Sequence, residues 1–259
     1  MVKYAGVDLS YANGDVDYRA LKAGTINGYK VKFAMLRLGH GMAKDKLFDR
    51  HYKGCKEAGI SVGAYHWSYA LNLTEARAEA NWAISELADY ELDYPVALDF
   101  EDEKNVLDKG LSKAQYTAIC RVYLEKLRAA NYYPMLYCNP NVIDNYINIE
   151  DLSTYDLWLA QYTSEGYQRQ LGQGMWQFTV AGHPTLDYGR VGTVAGVSGQ
   201  CDCNWDYTDY AEKIRSLGMN RPVIRYNVTG TKTVTENKLA EAQTQLQAMD
   251  FNVTVRKEG

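Results

Sequence analysis

Asp99 and Glu101 stand one residue apart at the end of an apolar run, Tyr94-Pro95-Val96-Ala97-Leu98. Side chains alternate along a strand, so the two carboxylates share a face and Phe100 points the other way. Two acids held together oppose each other's ionisation, which raises one pKa and prepares a proton donor. A proton donor beside a carboxylate is what glycoside hydrolysis requires. Asp102 and Glu103 follow directly, and the bland reading is a solvated acidic loop. The elements that position the pair decide between the two.

Strand-length apolar runs recur at 2–8, 31–38, 61–67, 95–101, 133–138, 156–161, 175–178 and 200–205. Most are continuous rather than alternating, which predicts strands covered on both sides. Helical patterns fill the wide early gaps at 46–58, 74–90 and 112–130, two of them opening on caps at Thr74 and Ser112. Gaps after 156 are too short for crossover helices, and 207–217 gives one more helix. The pattern predicts an irregular, TIM-like parallel (β/α) barrel of eight strands whose second half has lost its outer helices. An open doubly wound sheet is the alternative, but no glycine-rich phosphate loop follows the first run.

In a parallel barrel the working residues gather at the C-terminal strand ends. Those ends carry Asp8, then Asp99 and Glu101, then Asp202 followed by Asn204. Four carboxylates thus converge on one mouth. Each also has a structural role open to it: Asp8 as a turn cap with Ser10, Asp202 as a partner of its own backbone. Aromatic and amide residues end the other strands: Tyr65, His66 and Trp67, then Tyr137 and Asn139, Trp158 and Gln161, and Trp176 and Gln177. Such a mouth suits a sugar better than a phosphate. His66 reads as a core residue rather than a base. His40, His51 and His183 have no metalloprotease or triad spacing, and no serine sits in a nucleophile elbow.

At these residues the chain resembles glycoside hydrolase family 25, the lysozymes common among phage endolysins. The matching segments are Gly6-Val7-Asp8-Leu9-Ser10, Phe33-Ala34-Met35-Leu36-Arg37, Gly63-Ala64-Tyr65-His66-Trp67 and Asp99-Phe100-Glu101. They continue with Leu136-Tyr137-Cys138-Asn139, Trp158-Leu159-Ala160-Gln161-Tyr162, Trp176-Gln177-Phe178 and Asp202-Cys203-Asn204, in family order over roughly residues 1–215. The resemblance implies cleavage of the β-1,4 bond between N-acetylmuramic acid and N-acetylglucosamine in bacterial peptidoglycan. It implies Glu101 as proton donor, Asp99 as the second acid of the pair, and Asp8 and Asp202 as the remaining cleft acids. Tyr65, Tyr137 and Trp158 fall among its sugar-contacting positions, and Trp67, Asn139, Gln161 and Trp176 complete the expected cleft. Cys203 is a departure from the family pattern that touches no catalytic role. A chitin-directed hydrolase and a non-catalytic sugar-binding barrel are the competing readings; the longer acidic pattern of chitinases is absent, and the proton donor that lectin-like relatives lose is present.

The 259 residues carry a net charge of −4, which gives no electrostatic case for nucleic acid or an anionic membrane as partner. Twenty-two tyrosines and five tryptophans fit carbohydrate binding weakly. Five cysteines, including Cys201 and Cys203, follow no disulfide or zinc spacing and are expected as buried thiols, with no metal or other cofactor. No signal peptide precedes the first strand and no run is long enough to span a bilayer. The expectation is a protein made in the cytosol that reaches the wall through lysis, a holin or another signal-independent route.

A composition shift at Gly218-Met219-Asn220-Arg221-Pro222 divides an expected catalytic barrel, 1–218, from a linker and small C-terminal unit, 219–259. Its strand (223–228), helix (235–249) and strand (251–256) form a βαβ-like appendage. So small a unit cannot bury a stable core alone. It is expected to dock on the barrel, to self-associate or to be part of a longer module, and the resemblance to modular endolysins implies a wall-binding or oligomerising element.

Overall fold

A computed structural model of the chain describes residues 2, 4–163, 173–187 and 191–221. The chain divides into two compact units, Met1–Val223 and Ile224–Gly259. The second unit, and with it the predicted βαβ appendage, lies outside the described residues.

The described elements are β1 (Tyr4–Leu9), α1 (Tyr18–Ala23), β2 (Thr25–Ile26), β3 (Tyr29–His40), β4 (Ala43–Lys44), α2 (Phe48–Ala58) and β5 (Ser61–Trp67). Then follow α3 (Leu73–Glu86), β6 (Val96–Asp99), α4 (Lys113–Ala129), β7 (Pro134–Cys138), α5 (Pro140–Asn145), β8 (Asp156–Ala160), β9 (Gln173–Ala181), β10 (Cys201–Asp206) and α6 (Tyr210–Leu217). Hydrogen-bonded pairing runs β1-β3-β5-β6-β7-β8-β9-β10 and back to β1, closing a barrel of eight strands. The short β2 and β4 hang on β3.

The barrel departs from the prediction in one respect. β10 is antiparallel to both β9 and β1, whereas the other adjacent barrel pairs are parallel. A parallel return needs a crossover that climbs the height of the sheet, commonly a helix. The described residues between β9 and β10 contain no helix, so the chain turns back as a hairpin does.

Helix α4 shows how the outer layer forms. Tyr116, Ile119, Cys120, Tyr123, Leu124 and Leu127 recur at three- and four-residue spacing and are all buried. Ser112 caps the helix reciprocally with Gln115, as expected. For α3 the cap is Asn72 rather than Thr74: its side chain accepts from the Thr74 and Glu75 backbone N–H groups. Asparagine beats threonine here because its carbonyl oxygen reaches both donors. The short helices α1 and α5 carry too few residues for a visible period and went unpredicted. No helix among the described residues is long and apolar enough to cross a membrane.

Strand alternation sorts the interior into levels. Gly6, Met35, Gly63, Ala97, Met135, Trp158 and Met175 fill the middle. Phe33 stacks on Tyr94 below them, centroids 4.4 Å apart at 11°. Strand neighbours of the opposite parity, such as Val7, Leu36, Leu98 and Phe178, face the helices in the larger outer core. The five cysteines are buried and unbridged.

Candidate active site

The top level of the barrel interior is polar. Asp8 ends the inward face of β1, Arg37 that of β3, Tyr65 and Trp67 that of β5, Asp99 that of β6, Tyr137 that of β7, and Gln177 lies on β9. Asp202 joins them because β10 runs backwards. The first residues of an antiparallel strand share a rim with the last residues of its parallel neighbours, and Asp202 lies directly opposite Asp8.

Asp8 is the anchor. It is buried, and its Oδ2 accepts from Gln177 Nε2 and from Asn204 Nδ2, both at 2.9 Å. Neither amide is free to flip. Asn204 Oδ1 accepts from Trp158 Nε1 at 2.8 Å, and Gln177 Oε1 accepts from Tyr137 at 2.9 Å and Tyr162 at 2.5 Å. Three donors thus fix the carbonyl ends of both amides, which turns their N–H ends onto Asp8.

Burial raises the Asp8 pKa, while hydrogen bonds from Asn204, Gln177 and Asp202 pull it back down. Asp202 moves the other way: burial, the Asp8 charge and its hydrogen bond to Asp8 hold its carboxyl well above the ordinary range. Of these two acids, Asp8 is the one whose amide contacts favour an anion. Asp99 is likewise pushed well up, by burial first and then by Glu101 and Asp8, with Arg37 opposing. Glu101, half-buried just beyond β6, is pushed up to about 7 by burial and by Asp8, Asp102 and Glu103, against a hydrogen bond from Tyr137. The four acids named from the sequence thus act on one another electrostatically, as residues of one site must.

Asp99 Oδ1, Trp67 Nε1 and Gln161 Oε1 are buried without a hydrogen-bond partner among the described residues. Leaving such a group unpaired costs about 1–3 kcal/mol. All three belong to strand ends at the same rim, where a bound polar molecule would satisfy them.

The remaining expected contacts separate. Tyr65 lies within electrostatic reach of Asp8, Asp99 and Asp202, and packs edge-on against Trp158. Trp158 is almost fully enclosed, at 1% exposure, so it braces Asn204 from below rather than offering a face. Asn139 caps α5 through the Val142 backbone N–H. Trp176 does not join the mouth: its parity turns it outward against Phe178, and its Nε1 donates to the Gln161 carbonyl. Met175 and Gln177 hold the inward positions of β9.

Tyr162, Arg37 and His51 were given no site role from the sequence, and Gln177 was placed at the mouth without its part in holding Asp8. Its inward direction follows from the parity it shares with Met175. His51 gave no such signal. Its Nδ1 accepts from Tyr18 and its Nε2 donates to the Ser10 carbonyl, pinning the loop that follows Asp8. His66 is buried outside the barrel wall, its pKa lowered to about 4 by burial, and it pins the turn at Gly41.

An acid-lined mouth on a closed eight-stranded barrel with one reversed strand defines a class, and comparison with known proteins agrees. Residues 7–185 match the model of glycosyl hydrolases family 25, and the chain belongs to that family. It is 25% identical over 201 residues to an autolytic lysozyme of Clostridium acetobutylicum, covering 76% of this chain but only 54% of that protein's length. Among solved structures it is similar to the CTP1L endolysin, with 25% identity, a TM-score of 0.63, and coverage of 83% of this chain and 70% of that one. A bacterial lysozyme from Streptomyces coelicolor shares the fold at 22% identity and a TM-score of 0.64, over 82% of this chain and 95% of its own. Asp202 and Asn204 lie beyond the stretch matched by the family model, so their membership of the site rests on geometry.

Proposed function

We propose that the chain is a peptidoglycan hydrolase that cuts the β-1,4 bond between N-acetylmuramic acid and N-acetylglucosamine, as a lysozyme does. Glu101 donates a proton to the glycosidic oxygen as that bond lengthens. Asp99 and Asp8 stabilise the positive charge that develops on the sugar ring, Asp8 from its fixed anionic state and Asp99 once its own proton is shared or lost. Asp202 keeps Asp8 in place by donating to it. Tyr65, Trp67 and Gln161 contact the sugars at the rim.

The observation that carries this reading is the gathering of Asp8, Asp99, Glu101 and Asp202 at one barrel rim, where burial and the neighbouring carboxylates push Glu101 up to about 7. A carboxyl group poised there holds a proton near neutrality and still gives it up, which is what a general acid must do. Family membership and the printed names of its relatives supply the substrate class.

The test is Glu101→Gln on purified peptidoglycan. Release of reducing ends should fall by about 100- to 10,000-fold, the usual worth of a general acid. Thermal melting should stay cooperative. Near-normal lysis by this variant would sink the assignment.

A further inference from the structure

Glu79 is a buried carboxyl group that the acid chemistry of the mouth does not use. It sits on α3, in the outer layer, among the buried Ala76, Ala80 and Ala83. Burial raises its pKa, hydrogen bonds from Ser68 and Tyr69 pull it back, and Glu75 one turn earlier raises it again. Stability alone favours an apolar residue at such a position, because a buried carboxyl gives up its hydration. A local rule broken without a gain in stability points to function.

The two oxygens of Glu79 hold the segment that leaves β5. Oε2 accepts from Ser68 Oγ at 2.6 Å, and Oε1 accepts from the Tyr69 backbone N–H at 3.1 Å. Ser68 Oγ in turn accepts from the Ala70 N–H at 3.2 Å. Ser68 is 1% exposed, and its own backbone N–H donates to the Asp99 carbonyl at 3.1 Å. That bond lies one step beyond the last partners of β5 and β6, Trp67 and Asp99. From the other side, the Phe100 N–H donates to the Tyr137 carbonyl at 3.0 Å. The Asp99 carbonyl and the Phe100 N–H belong to one peptide unit, so its plane is held at both ends. This is the unit between the two acids, and Glu101 follows where β6 has already ended. A turn of that plane swings Asp99 and Glu101 relative to each other.

We propose that Glu79 is a positioning residue for the reaction: through Ser68 it fixes the peptide plane between Asp99 and Glu101, and with it the mutual geometry of the two acids. The proposal takes its chemistry from the hydrolase reading above, while the chain of hydrogen bonds stands apart from that reading. Misplacing a reacting group by about 1 Å can cost about 100-fold in rate, so a distant residue that secures the plane has leverage on catalysis.

The experiment compares the full chain with its Glu79→Gln and Ser68→Ala variants in two readouts. In Glu79→Gln the amide either sets an N–H against the Tyr69 N–H or leaves the Ser68 hydroxyl hydrogen without an acceptor. The first readout is kcat and KM on soluble peptidoglycan fragments, well below the melting temperature. Each variant should lose about three- to 30-fold in kcat with KM within about twofold of the parent. The double variant should lose less than about twofold more than the worse single, since both changes cut one chain. The second readout is the titration of Glu101 by NMR of labelled carboxyl carbons. Its midpoint should fall below the parent's about 7 in both variants, as a looser plane lets water reach the carboxyl. Unchanged kcat and an unchanged Glu101 titration in both variants overturn the positioning role. A lower melting temperature with neither of those changes marks a packing residue and overturns it as well. A parent that releases no reducing ends overturns the hydrolase reading, and the Glu101 titration then decides the positioning by itself.

Discussion

Asp8 and Asp202 lie opposite each other across the antiparallel pair β1 and β10, and burial raises the carboxyls of both. Two amide N–H groups are aimed at Asp8 and favour its charged form. The two positions should therefore respond differently to the same substitution. Asp202→Asn still offers N–H to Asp8, whereas Asp8→Asn sets an NH2 or a neutral oxygen against donors built for an anion. Activity on peptidoglycan should fall about 100-fold or more for Asp8→Asn and about tenfold or less for Asp202→Asn. Equal losses would contradict the asymmetry.

The pH dependence has a definite sign. Glu101 titrates at about 7 in the folded chain against an ordinary 4.5, so the folded state holds the proton more tightly. Its contribution to stability is full below about pH 4.5 and is lost as pH rises through about 7. Asp99 and Asp202, also raised, act in the same direction. Thermal stability should thus decline from mildly acid to neutral pH. Glu101→Gln should flatten that decline, adding on the order of 1–3 kcal/mol at neutral pH. In kcat/KM the loss of activity should follow the loss of the Glu101 proton above about pH 7. A melting temperature that climbs steadily over the same range would count against these assignments.

Trp158→Phe keeps the ring in the barrel interior and removes one donor. Asn204 Oδ1 then loses the partner that holds its amide, and Asp8 loses a fixed N–H. The Asp8 pKa rises, so the acid limb of the kcat/KM profile should move to higher pH, with kcat about tenfold lower, or about 1.4 kcal/mol. A purely structural residue would lower stability without moving that limb.

Gly6→Ala tests the packing beneath the site. A Cβ there would lie 2.5 Å from Phe33 ring atoms, and that ring is fully buried and stacked on Tyr94. Overpacking of this kind costs about 1–3 kcal/mol, or roughly 3–10 °C in melting temperature. Gly6→Ala with Phe33→Leu should recover part of the loss.

Much of this architecture is readable from residue order, and the exceptions have physical reasons. Strand-length runs mark all eight barrel strands, and most are continuously apolar because those strands are covered on both faces. The Asp99-x-Glu101 spacing marks the donor because parity is local. The reversal of β10 is not local: it depends on what fills the loop before it, and the sequence there has no helical period to read. Trp176 shows the same limit. Rim position was legible, but only the register with β8 and β10 tells Gln177 inward from Trp176 outward. His51 acts on the loop after Asp8 from 41 residues away through its hydrogen bond to Ser10, a contact no spacing rule anticipates.

The reversed final strand ties completion of the site to closure of the barrel. β10 closes the barrel between β1 and β9 and delivers Asp202 and Asn204 to Asp8 in one movement. A nascent chain still on the ribosome before residue 206 has neither a sealed sheet nor an oriented Asp8. The strand that completes the site is thus the one that closes the sheet, and a chain cut short before it lacks both.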